Sequence, residues 1–202
     1  MKALLLSLMV ALIGSAGLLH AQGIDFGFKA GPNIASQKIT GDYKMDTRAK
    51  IGFHGGVFFV WMFSEKIGLQ PELLFSIQGS IATGITYDYR ITTNYATIPV
   101  LARYNINDMF SVHAGPQLGI LVRGEEEFDG DTHDIKKDFK STDVGLALGA
   151  EADLPANVGV GLRYVIGLVN VVDESGSFGH TTIKNGVFQI YVNFRIVSHS
   201  DK

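Results

Sequence analysis

The sequence predicts an all-β protein: an eight-stranded antiparallel up-and-down transmembrane β-barrel with its apolar face turned out to lipid. Three observations carry this reading. Eight stretches alternate apolar and polar residues with a period of two, the signature of a strand with one greasy and one polar face. Glycines crowd the polar parity, among them Gly27, Gly56, Gly115, Gly149 and Gly161 of the 24 in the chain. The interior of a barrel this size is narrow and nearly filled by side chains, so small residues between charged ones suit it. Finally, short connections at Ser64–Lys66, Asn105–Asp108 and Pro155–Asn157 alternate with four longer ones, matching the short periplasmic turns and longer outer loops of membrane barrels.

The elements follow in order. Residues 1–21 read as a secretory signal: Lys2, an apolar run, then Leu19-His20-Ala21 before Gln22. The competing reading of that run is a membrane anchor, but a spanning helix takes ~20 apolar residues and a strand pattern starts directly afterwards. Residues 22–197 form the barrel domain and 198–202 a polar tail. No later segment suits a membrane helix, so membrane entry must be as a barrel.

The first strand, Gly23–Gly31, sets Ile24, Phe26, Phe28 and Ala30 against Asp25, Gly27 and Lys29. Pro32–Lys50 reads as a polar loop. The second strand, Ile51–Phe63, sets Phe53, Val57, Phe59, Trp61 and Phe63 against Gly52, His54 and Gly56. The third, Ile67–Gly79, is the cleanest: Ile67, Leu69, Leu73, Phe75 and Ile77 oppose Gly68, Gln70, Glu72, Ser76 and Gln78. In the fourth, Tyr87–Tyr104, apolar residues move from odd numbers (Tyr87, Tyr89, Ile91) to even ones (Ile98, Val100, Ala102, Tyr104), which predicts a β-bulge near Asn94–Ala96.

The fifth strand, Met109–Arg123, opposes Phe110, Val112, Leu118 and Ile120 to Ser111, His113, Gln117 and Arg123. Gly124–Thr142 is hydrophilic and reads as a loop. The sixth, Asp143–Leu154, opposes Val144, Leu146 and Leu148 to Asp143, Glu151 and Asp153. The seventh, Val158–Val171, opposes Val160, Leu162, Tyr164 and Ile166 to Gly159, Gly161 and Arg163. After a Gly/Ser-rich loop at Val172–Thr182, the eighth opposes Phe188, Ile190, Val192 and Phe194 to Gln189, Tyr191, Asn193 and Arg195.

The inward parity thus gathers Asp25, Lys29, Glu72, Arg103, Arg123, Asp143, Glu151, Asp153, Arg163 and Arg195. Charges in so confined a space must pair, which predicts a lumen plugged by ion pairs; a narrow channel is the competing reading. On the outer face Trp61, Phe63, Tyr104, Phe110 and Phe194 should mark one membrane interface, with Phe53, Tyr87 and Tyr89 near the other. Pro71, Pro99 and Pro116 fall inside strands at similar heights. They lack the N–H a ladder needs, so bulges or an opened ladder are expected there.

Chemistry-bearing motifs are sparse. With no Cys, disulfides and Cys-based metal sites are excluded. The net charge of −3 points to no nucleic-acid partner. Asp129–Asp134 behind Glu125–Glu127 is acidic but lacks the order and closing Glu of a twelve-residue calcium loop. His180 with Ser177, or His133 with Ser141, has no spacing that identifies a hydrolase. Neither a catalytic site, a metal nor a cofactor is expected, and the expected partner is outer-membrane lipid. The alternative is a soluble or periplasmic barrel binding a small apolar ligand inside.

Several short pieces occur together in order. They include Gly31-Pro32-Asn33, Gly52-Phe53-His54-Gly55-Gly56, Gln70-Pro71-Glu72-Leu73-Leu74-Phe75, Ile98-Pro99-Val100, Ala114-Gly115-Pro116, Asp143-Val144-Gly145-Leu146, Arg163-Tyr164 and the Phe188–Phe194 strand. With them the chain resembles the PorT-like outer-membrane β-barrel domain family of Bacteroidetes. The resemblance implies an outer-membrane address, a structural or interaction role, and a link to protein secretion and other envelope proteins. It implies no catalytic residue.

Overall fold

The computed structural model describes residues 24–41, 47–83, 88–128, 130–172 and 181–197. The predicted signal, the polar tail and Tyr87 lie outside these residues. Among the described residues nine strands form in chain order: β1 Ile24–Thr40, β2 Thr47–Met62, β3 Ile67–Thr83, β4 Asp88–Asn105, β5 Phe110–Phe128, β6 Asp131–Asp134, β7 Thr142–Leu154, β8 Val158–Gly167 and β9 Thr182–Val197. All pair antiparallel. The order β4-β3-β2-β1-β9-β8-β7-β5 is closed by β4–β5 pairing, so eight strands make an up-and-down barrel. β6 is a short hairpin partner of β5 above the wall. Closure satisfies every edge, the condition for strands to stand in lipid.

The alternation is realised as exposure. Outward residues such as Leu73 (54 %), Ile120 (43 %) and Ile190 (43 %) are open, while Glu72 (3 %) and Arg163 (1 %) are enclosed. On β5 the outward apolar run extends from Phe110 to Val122. Twelve residue steps at ~3.4 Å and a tilt of ~40° give a band about 30 Å high, the thickness of a hydrocarbon core.

Two expectations are corrected, and the third, an opened ladder at the prolines, is met. The strands are longer than the alternation indicates: β1 runs to Thr40 and β5 to Phe128, through stretches that read as loops. Both stretches lie beyond the apolar band, where neither face need be greasy.

The bulge is on the other strand. Asn94 pairs with Arg123 but Tyr95 with Leu121, so the extra residue is Val122 on β5. β4 keeps one facing throughout, with Ile91, Thr93, Tyr95, Thr97, Leu101 and Arg103 all inside. Because the slip falls on β5, Val122 and Arg123 both face out, and Arg123 is 65 % exposed.

The prolines open the ladder without shifting it. Pro71 pairs with Val100 of β4, Pro99 with Gln117 of β5 and Pro116 with Leu146 of β7. On its other side each leaves a gap. The β2–β3 pairing resumes only at Trp61/Leu69 beyond Phe58/Glu72, β3–β4 jumps from Pro71/Val100 to Leu74/Thr97, and β4–β5 jumps from Pro99/Gln117 to Ala102/Ala114. Each proline turns its donorless nitrogen towards the gap and keeps its register with the strand on the other side.

Candidate functional site

The lumen is built in layers. Nearest the short-turn end is an ion-pair network fed by six strands. Glu72 on β3 stands at its centre. Arg163 on β8 reaches across the barrel and donates from both terminal nitrogens, Nη1 to Oε2 and Nη2 to Oε1, each at 2.7 Å. Lys29 Nζ on β1 (2.8 Å) and Gln70 Nε2 (2.7 Å) donate to Oε1 as well. Planar guanidinium against planar carboxylate is the strongest form of such a pair.

A second cluster forms around Glu151 on β7. Arg103 Nη1 donates to its Oε1 at 2.8 Å, Arg195 Nη2 at 3.1 Å, and Tyr191 Oη to Oε2 at 3.1 Å. Asp153 accepts from Arg103 at 2.9 Å and pairs with Arg195. Lys29 joins the clusters, lying 3.9 Å from Glu151 and with Nζ 4.0 Å from the centroid of the Tyr191 ring. Four cations face three carboxylates, and Arg195, nearest the short-turn opening, is the cation whose side chain keeps 15 % exposure.

Glycine makes room for these large side chains. Gly161 is paired with Tyr191, and a Cβ there would sit 2.6 Å from the ring's Cε2. Gly149 likewise lies under His113, whose Nε2 accepts from Arg163 Nε at 3.3 Å.

Above the charges is a layer of amides and hydroxyls. Asn33 donates to Ser76 Oγ at 2.9 Å and accepts from Gln189 at 3.1 Å; Gln37 accepts from Ser80 at 2.8 Å and donates to Asn185 at 3.1 Å. Asp143 belongs here, accepting from Asn185 at 2.9 Å. Small apolar contacts among Ala35, Leu101, Ala147, Val165 and Val187 share this height.

At the long-loop end the interior turns apolar. Ile91, Tyr95, Leu121 and Ile183 from the wall enclose Phe139, Val171 and Val172. Phe139 bridges to Val172, so two connecting segments are folded down into the mouth and close it.

Seven of the ten predicted lumen charges therefore meet in one network: Lys29, Glu72, Arg103, Glu151, Asp153, Arg163 and Arg195. Asp143 is inside but in a higher layer. Asp25 is half-buried at the short-turn end of β1. Arg123 is not a lumen residue; it pairs with Glu125 on the outer surface. Among the predicted interface aromatics, Trp61, Phe63, Tyr104, Phe110 and Phe194 are exposed near the short-turn end, with Trp61 and Phe63 in edge contact at 5.1 Å. Phe53 lies one outward position below Ile51, at the upper margin of the apolar band. Tyr89 is on β4, opposite Ala82. Thr132 and His133 of the acidic loop lie on β6 and are exposed; Ser177 and His180 lie outside the described residues. Among the described residues no group of three His, Asp or Glu side chains is placed to hold a metal ion.

The apolar mouth was not anticipated. Its one sequence signal is bulky apolar residues inside hydrophilic stretches: Phe139 between Asp138 and Lys140, and Val171-Val172 beside Asp173. The sequence signal for Tyr191 is its place on the polar parity of the last strand, between Gln189 and Asn193.

Comparison with known proteins agrees with this architecture. Residues 20–173 match a family model described as an outer membrane protein beta-barrel domain. No curated protein matches the chain. Among solved structures, Ail, the attachment invasion locus protein of Yersinia pestis, superposes with a TM-score of 0.54 at 15 % identity, covering 85 % of this chain and 98 % of Ail. OprG from Pseudomonas aeruginosa gives 0.45 at 15 % identity, covering 88 % and 98 %. At such identities the likeness shows the fold alone.

Proposed function

This chain belongs to the outer membrane protein beta-barrel domain family, and from that premise we propose that it is a closed, non-conducting barrel whose working surface is its raised rim. The observation that carries this is the doubly blocked lumen. The Glu72–Arg163–Lys29 network fills the lower half, and Phe139 with Val171 and Val172 fills the mouth. A water path would have to cross both.

What remains for function is the part above the lipid: the upper ends of β1 to β5 and β9, and the β5–β6 hairpin with Glu125–Glu127, Asp131 and Asp134. In our reading this rim faces outside, the short turns and both chain ends face the periplasm, and residues 1–21 are the removed export signal. The role is structural or interactive rather than enzymatic. The motifs shared with the PorT-like group make secretion and other envelope proteins the partners to test first. A soluble barrel with an apolar ligand inside is disfavoured by the interior itself, which is charged where such a ligand would lie.

Planar-bilayer recording of the purified protein tests the closed state: no steady conductance is expected, and reproducible single-channel steps would defeat the proposal. Protease added to intact cells tests the orientation: cleavage within residues 125–134 is expected. A cut confined to Pro155–Asn157 would reverse it.

A further inference from the structure

One spot on the outer wall is built against ordinary sheet logic. Lys38 on β1 and Lys184 on β9 are direct cross-strand partners, and both are exposed. Like charges directly opposite each other destabilise a sheet. Two other exposed cations on the wall have carboxylates: Arg90 lies by Glu127 and Arg123 by Glu125. Among the described residues neither Lys38 nor Lys184 has one.

The two lysines stand one outward step above a pair of hydroxyls. One outward step down, Ser36 is paired with Gly186, and Gly186 is also paired with Ile166 of β8. Gly186 brings no side chain to the outer face, and two hydroxyls converge over it: a Cβ at Gly186 would lie 3.0 Å from Tyr164 Oη and 3.5 Å from Ser36 Oγ. Tyr164 starts a step lower, opposite Phe188, so its ring climbs the wall and presents its polar tip at the level of Gly186. Beneath lie Ile34 and Phe188, the top of the apolar band.

We propose that this cluster of two lysines and two hydroxyls binds the phosphate of a lipid headgroup in the leaflet on the long-loop side, held by Lys38 and Lys184, with Ser36 and Tyr164 donating and the acyl chains lying on Ile34 and Phe188. An anion between the lysines turns their repulsion into attraction, and hydroxyl donors suit its remaining oxygens. The apolar surface directly below selects a lipid over a free anion. The inference rests on the chain spanning a membrane; it does not depend on which leaflet faces outside.

The test is native mass spectrometry of the mature barrel from nanodiscs of phosphatidylcholine doped with bisphosphorylated lipid A. The expected result is one retained lipid A, with apparent affinity falling about thirtyfold in a K38Q/K184Q variant. The dephosphorylated lipid should not be retained, and millimolar inorganic phosphate should not displace the bound one. K38E keeps the barrel folded by creating a pair with Lys184, and it should lose the lipid as fully as the double variant. Gly186→Leu pushes the Tyr164 and Ser36 hydroxyls aside and should do the same with both lysines present. Equal retention by the variants, equal retention of the dephosphorylated lipid, or displacement by inorganic phosphate would each overturn the proposal. Because the nanodisc has no sidedness, failure here is separable from failure of the orientation tested by protease.

Discussion

The lower and upper halves of the lumen solve the same problem with opposite chemistry. Below, inside the hydrocarbon, the wall is greasy outside and the interior is charged. Above the band the relation inverts: Ile91, Tyr95, Leu121 and Ile183 point inward, while Arg90, Lys38 and Lys184 point outward. The upper third is in effect a small soluble protein mounted on a membrane one. The comparison teaches that "apolar out" is a rule about the surrounding solvent rather than the barrel. The lower half is held by a few directional contacts and the upper by non-directional packing, so they should fail differently.

The largest effect is expected from Glu72→Gln. It leaves Arg163 and Lys29 short of their shared carboxylate in a dry interior, and breaking a buried pair costs about 3–5 kcal/mol. Urea unfolding in lipid vesicles should show it, with the E72Q/R163M double variant recovering part of the loss. If Glu72→Gln cost less than the surface change below, the network would not be what holds the lower half.

Phe139→Ala, in the mouth, should cost about 3 kcal/mol by the usual range for a buried Phe. Conductance should stay absent, since the charged layer beneath is untouched. Steady current through Phe139→Ala would mean that the mouth, not the ion pairs, is the seal.

Gly161→Ala pushes a methyl into Tyr191 and should cost about 1–3 kcal/mol, the range for overpacking. Tyr191→Leu in the same chain should relieve most of it. Absence of coupling in that double-mutant cycle would separate the glycine from the ring.

The smallest effect is expected from Arg123→Gln, within about 0.5 kcal/mol of the parent, because its pair with Glu125 is largely exposed. A loss on the scale of Arg103→Gln, which should approach that of Glu72→Gln, would put Arg123 back in the lumen.

The legibility of this chain follows the same boundary. Where lipid surrounds the wall, period-two alternation sorted Glu72, Arg163, Leu73 and Ile190 to their correct sides. Above the band the greasy face disappears, so the ends of β1 and β5 read as loops. Being apolar, Ile91 reads from sequence as an outward residue, and that reading in turn demands a bulge in β4. The true slip, at Val122, leaves no mark in composition, and everything beyond it on β5 changes face, Arg123 first. Pairing partners were not legible either. That Glu72 meets Arg163 rather than Arg103 depends on the stagger between distant strands, which no local pattern encodes.

The three prolines carry one more consequence. A closed cylinder distributes load through its rungs, and here the missing rungs fall on β2–β3, β3–β4 and β4–β5, with a further gap at Gly31–Pro32 on β1–β9, while β5–β7, β7–β8 and β8–β9 are continuous. When the surrounding bilayer thins or thickens, this flank is where the cross-section can become oval, while the β7–β8–β9 side, with its unbroken rungs, keeps its curvature.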